Sequence, residues 1–148
     1  MIYFDMDGTL SNLYGVKDWL PRIRKFDASV YKEAEALIDI SELESLLIDI
    51  QSMGIEIGII SALAKVSNDA FDKKVMNNKM EWLNTHFKNV RWDKIIIIPY
   101  DVPKEQFGTN GDIIFDDSKS VRENWCGIAY DESNIINNLK AIVGENGE

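Results

Sequence analysis

Residues that build cross-links and proton shuttles are scarce in this chain. Its 148 residues include one cysteine, one histidine and three prolines. A lone Cys126 can form no disulfide within the chain, and nothing around it marks a nucleophile, so a reducing, cytoplasmic setting is expected. The one histidine, His86, follows a long helical pattern without a carboxylate motif nearby; there an imidazole serves the helix dipole, and it receives no catalytic part. Positive charge is also in short supply, with 16 Lys and Arg against 25 Asp and Glu and a net charge of −9. Without a basic footprint the chain is not expected to bind nucleic acid as a general partner, nor to dock on an anionic membrane. An anionic substrate would need a local attractor, and a metal ion is the obvious one. No apolar run is long enough to span a bilayer; the longest cover residues 55–64 and 95–99. The first five residues lack a basic segment and run at once into a core strand, so a cleavable leader is not expected.

What is present fits one compact domain with room for a small insertion. Five β-branched apolar runs read as buried strands: Ile2–Phe4, 55–60, 95–98, Ile113–Phe115 and Ile128–Tyr130. They lack clean alternation, as strands covered on both faces do. Helical patterns separate them. Ser41-Glu-Leu-Glu44 reads as a capping box, followed by Leu43, Leu46, Leu47 and Ile50 on one face, with Gly54 as the stop. Met76, Met80, Leu83 and Phe87 mark one face of a helix over residues 69–87. Ser118 can cap a short helix bearing Val121 and Trp125. Asp131 or Ser133 can cap a last helix bearing Ile135, Leu139 and Ile142, which ends at Gly144 before a fraying tail. Strands alternating with helices predict an α/β fold, a three-layer doubly wound parallel five-stranded sheet. Residues 11–40 break the alternation. Val16, Trp19, Leu20 and Ile23, interrupted by Pro21, and then Val30, Ala34, Leu37 and Ile38, with Asp27 as a cap, suggest a small helical cap inserted after strand one. The core is thus residues 1–10 and 41–148.

In parallel sheets of this kind the active site lies beyond the carboxyl ends of the strands. Strand one ends in Asp5-Met-Asp7-Gly8-Thr9, strand two in Ser61, and strand four in Asp116-Asp117, while Lys104 lies in the loop after strand three. Four carboxylates and one ammonium then share one edge, which demands raised pKa values or a cation. A hard divalent ion with oxygen ligands, Mg²⁺ first, resolves the repulsion, admits a phosphate dianion and neutralises its transition state. Asp5 and Asp7 can both face the site as nucleophile and general acid, and Gly8 lets the backbone turn sharply.

The order Asp-x-Asp-Gly-Thr, then Ser, then Lys, then Asp-Asp at successive strand ends resembles the haloacid dehalogenase superfamily of phosphohydrolases. The resemblance covers nearly the whole chain. It implies that Asp5 attacks phosphorus to form an aspartyl-phosphate, and that Asp7 protonates the leaving oxygen and then activates water. It also implies Mg²⁺ held by the Asp5 carboxylate, the Asp7 backbone carbonyl and Asp117, with Asp116 nearby, and a phosphoryl group bound by Ser61, the Ala62 amide and Lys104. The segment Met80-Glu-Trp-Leu83 before Phe87, the strand at 95–98, Lys104, and 113–117 followed by Trp125 look like the 5′(3′)-deoxyribonucleotidase branch and its small phage-type members. Segment 11–40 is shorter than the cap of well-formed nucleotidases.

Lys94 competes with Lys104 but sits at the wrong end of a parallel strand. Tyr14, Trp19 and Arg22 are the candidates for substrate specificity in the cap, though Trp19 can equally pack the cap on the core, and the neighbouring Arg24 and Lys25 can be solvated charges. Trp82, Phe87, Trp92 and Trp125 read as core aromatics. The expected function is Mg²⁺-dependent hydrolysis of a small phosphorylated metabolite, nucleoside monophosphates first. The alternatives are a nucleic-acid 3′-phosphatase, disfavoured by the acidic charge, and a non-catalytic receiver-like module, disfavoured because the acidic pair falls on strand four.

Overall fold

A computed structural model describes residues 1–146. Among these residues, five strands form one all-parallel sheet: β1 (Ile2–Phe4), β2 (Ile57–Ala62), β3 (Lys94–Ile98), β4 (Ile113–Phe115) and β5 (Ile128–Tyr130). Their spatial order is β3-β2-β1-β4-β5. Six helices accompany them: α1 (Trp19–Arg24), α2 (Val30–Glu33), α3 (Ile40–Ser52), α4 (Asp69–His86), α5 (Lys119–Asn124) and α6 (Ile135–Asn146). The chain leaves β1 toward β2 and β3 on one side and returns to β4 on the other. The order therefore reverses between β1 and β4, which opens a crevice at their carboxyl ends.

Both faces of the sheet are covered, as the unalternated strands require. On one face Ile2, Phe4, Ile57 and Ile59 pack under Leu43, Leu46, Leu47 and Ile50 of α3, Ile135 and Leu139 of α6, and Trp82, Leu83 and Phe87 at the end of α4. On the other, Tyr3, Ile60, Ile98 and Ile114 meet Trp125, Val121, Phe107 and Val102. Trp125 stands edge-on to Tyr3, and its indole donates to the Asp112 carbonyl at 3.0 Å, so its one polar atom is satisfied inside the core.

Several local expectations shift. The start of α3 is capped by Asp39, whose carboxylate accepts from the Glu42 amide at 3.1 Å, and not by Ser41, which lies inside the first turn. A carboxylate at this position also meets the positive end of the helix dipole. Gly54, at φ +83°, does end that helix region; the Ile55 amide still bonds back to Ile50, which delays β2 until Ile57. At its other end β2 continues to Ala62, because Ser61 and Ala62 pair with Ile97 and Ile98. Pro21 does not interrupt α1 but sits in its first turn, where a missing N–H costs nothing. Asp27 receives the Ser29 amide and hydroxyl in a turn before α2, and α2 itself stops at Glu33, so Leu37 is exposed. The buried face of α4 runs through Phe71, Val75, Lys79, Trp82 and Leu83, while Met76 is exposed. Ser118 caps α5, and Asp131 caps the turn that leads into α6. Gly144 does not stop α6, and residues 147–148 of the expected fraying tail lie outside the described residues.

Segment 11–40 has a stem and a small core. The Asn12 amide bonds to the Glu35 carbonyl at 2.7 Å and the Leu37 amide to the Leu10 carbonyl at 2.9 Å. Beyond this stem, Leu13, Ile23, Ala28, Val30 and Tyr31 bury against Phe71 and Val75 of α4, apart from the main core. Among the described residues no helix is long and apolar enough to cross a membrane.

Candidate active site

The ladder of the sheet runs one residue past two strands, and those residues are the acids. The Asp5 amide donates to the Phe115 carbonyl at 2.9 Å and the Asp116 amide to the Tyr130 carbonyl at 3.0 Å. Both carboxylates are thereby fixed at the switch point between β1 and β4, and both are buried. After Asp5 the chain curls back: the amides of Thr9, Leu10 and Ser11 converge on the Met6 carbonyl. Gly8, at φ +81°, makes this curl possible, and a Cβ there would lie 2.4 Å from Asp117 Oδ2 and 2.7 Å from the Tyr14 ring. Glycine is required twice, for conformation and for space.

Around β1 and β4 the charges are tightly tied. Lys104, rooted in a short 3-10 turn (Lys104–Phe107) after Pro103, donates to Asp5 Oδ1 at 2.8 Å and Asp116 Oδ2 at 2.7 Å. Burial alone would lower its pKa, but Asp5 and Asp116 outweigh burial and hold the ammonium above its ordinary value. Thr9 Oγ1 donates to Asp5 Oδ2 at 3.0 Å and accepts from the Asp117 amide at 3.2 Å. The Ser118 amide donates to Asp116 Oδ1. Even so, Asp5, Asp116 and Asp117 each present an oxygen within 4.8 Å of the other two. Burial, followed by the charge of Asp5, pushes Asp116 up to about 6 and Asp117 up to about 7. A trio of hard oxygen donors, short of positive charge and partly open to a cleft, fits a divalent cation of the Mg²⁺ type.

Asp7 lies on the other side of β1. Its carboxylate does not join the trio; Oδ2 accepts from Lys79 Nζ at 2.7 Å. Lys79 is 1% exposed, and its ammonium also donates to Ser61 Oγ at 2.6 Å and to the Ala62 carbonyl at 2.9 Å. All three of its protons are used. Burial raises the Asp7 pKa, Lys79 opposes the rise and Asp5 adds to it. Nothing in the motif pattern singled out Lys79. The available signal was its place four residues beyond Val75 and eight beyond Phe71, a cation on the buried face of a helix. Aligning that face on Met76 and Met80 put it one position out of register.

Above these groups a cleft of about 820 Å³ lies between the strand ends and segment 11–40. Asp5, Asp7, Lys104, Asp116 and Asp117 border it, as do Ala62, Tyr14 and Trp19. Tyr14 and Trp19 meet edge to face at 4.9 Å. Ser61 is fully buried behind Ala62, with its oxygen turned to Lys79. Arg22 is not on the cleft: its guanidinium is engaged by Asp27, Ser29 and Glu33, and Arg24 borders the cleft instead. This is a correction to the specificity set, and its cause is the acidic surroundings of Arg22 within the segment. Lys94 is exposed at the opposite end of β3, and the His86 ring stacks on Trp82 and does not border the cleft. Trp82, Phe87 and Trp125 are buried and Trp92 is partly so.

Neither the family models nor the curated proteins searched contain a match to this chain.

Proposed function

We propose that the chain is a Mg²⁺-dependent phosphomonoesterase of the haloacid dehalogenase type, acting on a small phosphorylated metabolite with nucleoside monophosphates first. The observation that carries this reading is the meeting of Asp5, Asp7, Asp116, Asp117 and Lys104 at one cleft, with three of the carboxylates spaced for one cation. Asp5, Asp116 and Asp117, joined by the Asp7 carbonyl, would hold the metal, whose charge offsets that of the phosphoryl group when it is bound. Lys104 holds Asp5 Oδ1 and Thr9 holds Oδ2, which orients the carboxylate for attack.

In the first step an Asp5 oxygen bonds to phosphorus, the bond from phosphorus to the ester oxygen breaks, and that oxygen leaves with the electron pair and a proton from Asp7. In the second, Asp7 takes a proton from water, the water oxygen bonds to phosphorus, and the bond to Asp5 breaks to release inorganic phosphate. Ala62 lines the cleft beside the phosphoryl group, with Ser61 buried behind it and Lys104 as the cationic partner. Segment 11–40 serves as a cap, and Tyr14 and Trp19 offer aromatic faces to the organic part of the substrate.

The test is phosphate release from nucleoside monophosphates, sugar phosphates and an aryl phosphate, with Mg²⁺ and with chelator. Chelator-sensitive turnover is expected. A folded protein that binds Mg²⁺ yet turns over nothing would favour the receiver-like alternative, and a salt-sensitive preference for phosphorylated oligonucleotides would favour the 3′-phosphatase.

A further inference from the structure

Lys79 has no part in the scheme above, yet it is among the largest fully buried side chains of the described residues. Ordering a lysine and stripping its ammonium of water is costly, so a buried lysine persists where its partners repay the loss. Here the partners belong to two different strand ends. Asp7 lies on the loop after β1, and Ser61 and Ala62 are the last residues of β2. The lysine itself comes from α4, and the Tyr31 ring of segment 11–40 closes over it at 5.1 Å from the ring centre. It does not border the cleft.

This arrangement settles the direction of two groups. Asp7 Oδ2 is tethered, so the carboxylate is held to one orientation beside Asp5. Ser61 Oγ accepts a hydrogen bond from Lys79 Nζ, so the hydroxyl's own proton must point elsewhere, away from the ammonium. Resting on the phosphatase reading, we infer that Lys79 is a positioning residue that holds Asp7 in place for both proton transfers and orients the Ser61 hydroxyl. Lys104 orients the nucleophile; Lys79 orients the acid and base.

The two halves of the reaction respond differently to its loss. A nitrophenyl phosphate expels nitrophenolate without a proton, so formation of the aspartyl-phosphate needs little from Asp7. Hydrolysis of that intermediate needs Asp7 to take the proton from water. Lys79→Met should therefore give a burst of nitrophenolate approaching one per protein, followed by steady turnover slower by about 10²–10³-fold, within the usual range of general acid–base contributions. Phosphate bound covalently to the protein should accumulate, and Asp7→Asn should show the same pattern. A Met variant that is folded by circular dichroism but loses burst and steady rate in equal proportion overturns the inference, as does one that turns over within threefold of the unaltered protein. Lys79→Gln, which keeps a donor in the pocket, is measured in the same way if the Met variant is unfolded; it should fall between the two, and unchanged kinetics overturn the inference. An unaltered protein without chelator-sensitive turnover overturns the phosphatase reading itself, and this inference with it. Active unaltered protein beside unchanged Lys79 variants overturns this inference alone.

Discussion

The two flanks of β1 hold a buried lysine each, and they are built on opposite principles. Toward β4, Lys104 faces Asp5 and Asp116 with Asp117 close by, so negative charge exceeds positive, and burial together with the charge of Asp5 pushes Asp116 and Asp117 toward protonation. Toward β2, Lys79 faces one carboxylate, one hydroxyl and one carbonyl, so its charge is matched and every proton placed. A flank with surplus negative charge is a place to bind a cation. A balanced flank is a place to hold a group still. Two lysines of similar burial thus serve different ends according to the count of carboxylates around them.

The largest effect is expected from Asp5→Asn. Asparagine keeps the volume but removes the proposed nucleophile, so phosphate release should fall by at least about 10⁴-fold with the fold retained. Measurable steady turnover in a clean preparation would contradict the reading of the β4 flank. Next in size, Asp117→Asn should weaken Mg²⁺ binding by about tenfold or more, because it removes one of three charged donors. Asp7→Asn, on the balanced flank, should leave Mg²⁺ affinity nearly unchanged while slowing steady turnover by about 10²–10³-fold. Calorimetric Mg²⁺ titration of both variants checks the division, and equal losses of affinity would erase it.

A smaller effect follows from the raised carboxylates. Burial and Asp5 hold Asp116 up to about 6 and Asp117 up to about 7, above the ordinary aspartate value of 3.8. The metal-free fold therefore binds these protons more tightly than the unfolded chain does. Stability from the two groups is full below the unfolded value and declines as pH rises through 6 to 7. Mg²⁺ competes with those protons, so its stabilisation should be slight at pH 5 and largest above pH 7. Melting curves with and without Mg²⁺ across that range test it; a shift of equal size at every pH would argue against metal binding at these carboxylates. The smallest effect is expected at Arg22, whose partners all lie within segment 11–40. Arg22→Ala should lower the melting temperature slightly and leave kcat/KM within about twofold. A large rise in KM would return Arg22 to the specificity set.

Most of the α/β architecture was legible because each strand announces itself as a short apolar run and each long helix as a period of apolar residues. In the strand ends, too, residue type and order were enough to single out Asp5, Asp7, Lys104, Asp116 and Asp117. Legibility failed where a residue's neighbours come from elsewhere in the chain. Ser41 has the chemistry of a cap, but the entry of the chain into α3 gives that role to Asp39. Arg22 has the chemistry of a substrate-binding residue, but Asp27 and Glu33 claim it.

The parallel sheet and the acidic edge follow from the order of residues alone, since period and strand-end chemistry are local properties of the chain. Tertiary structure alone decided which carboxylates gather as a trio and which one is set apart. It also decided that a lysine from α4 would close the balanced flank. The physical reason is that a helix's rotation about its axis is settled by packing: a shift of one residue in the buried face moves Lys79 from solvent to the one position where three acceptors can replace its water.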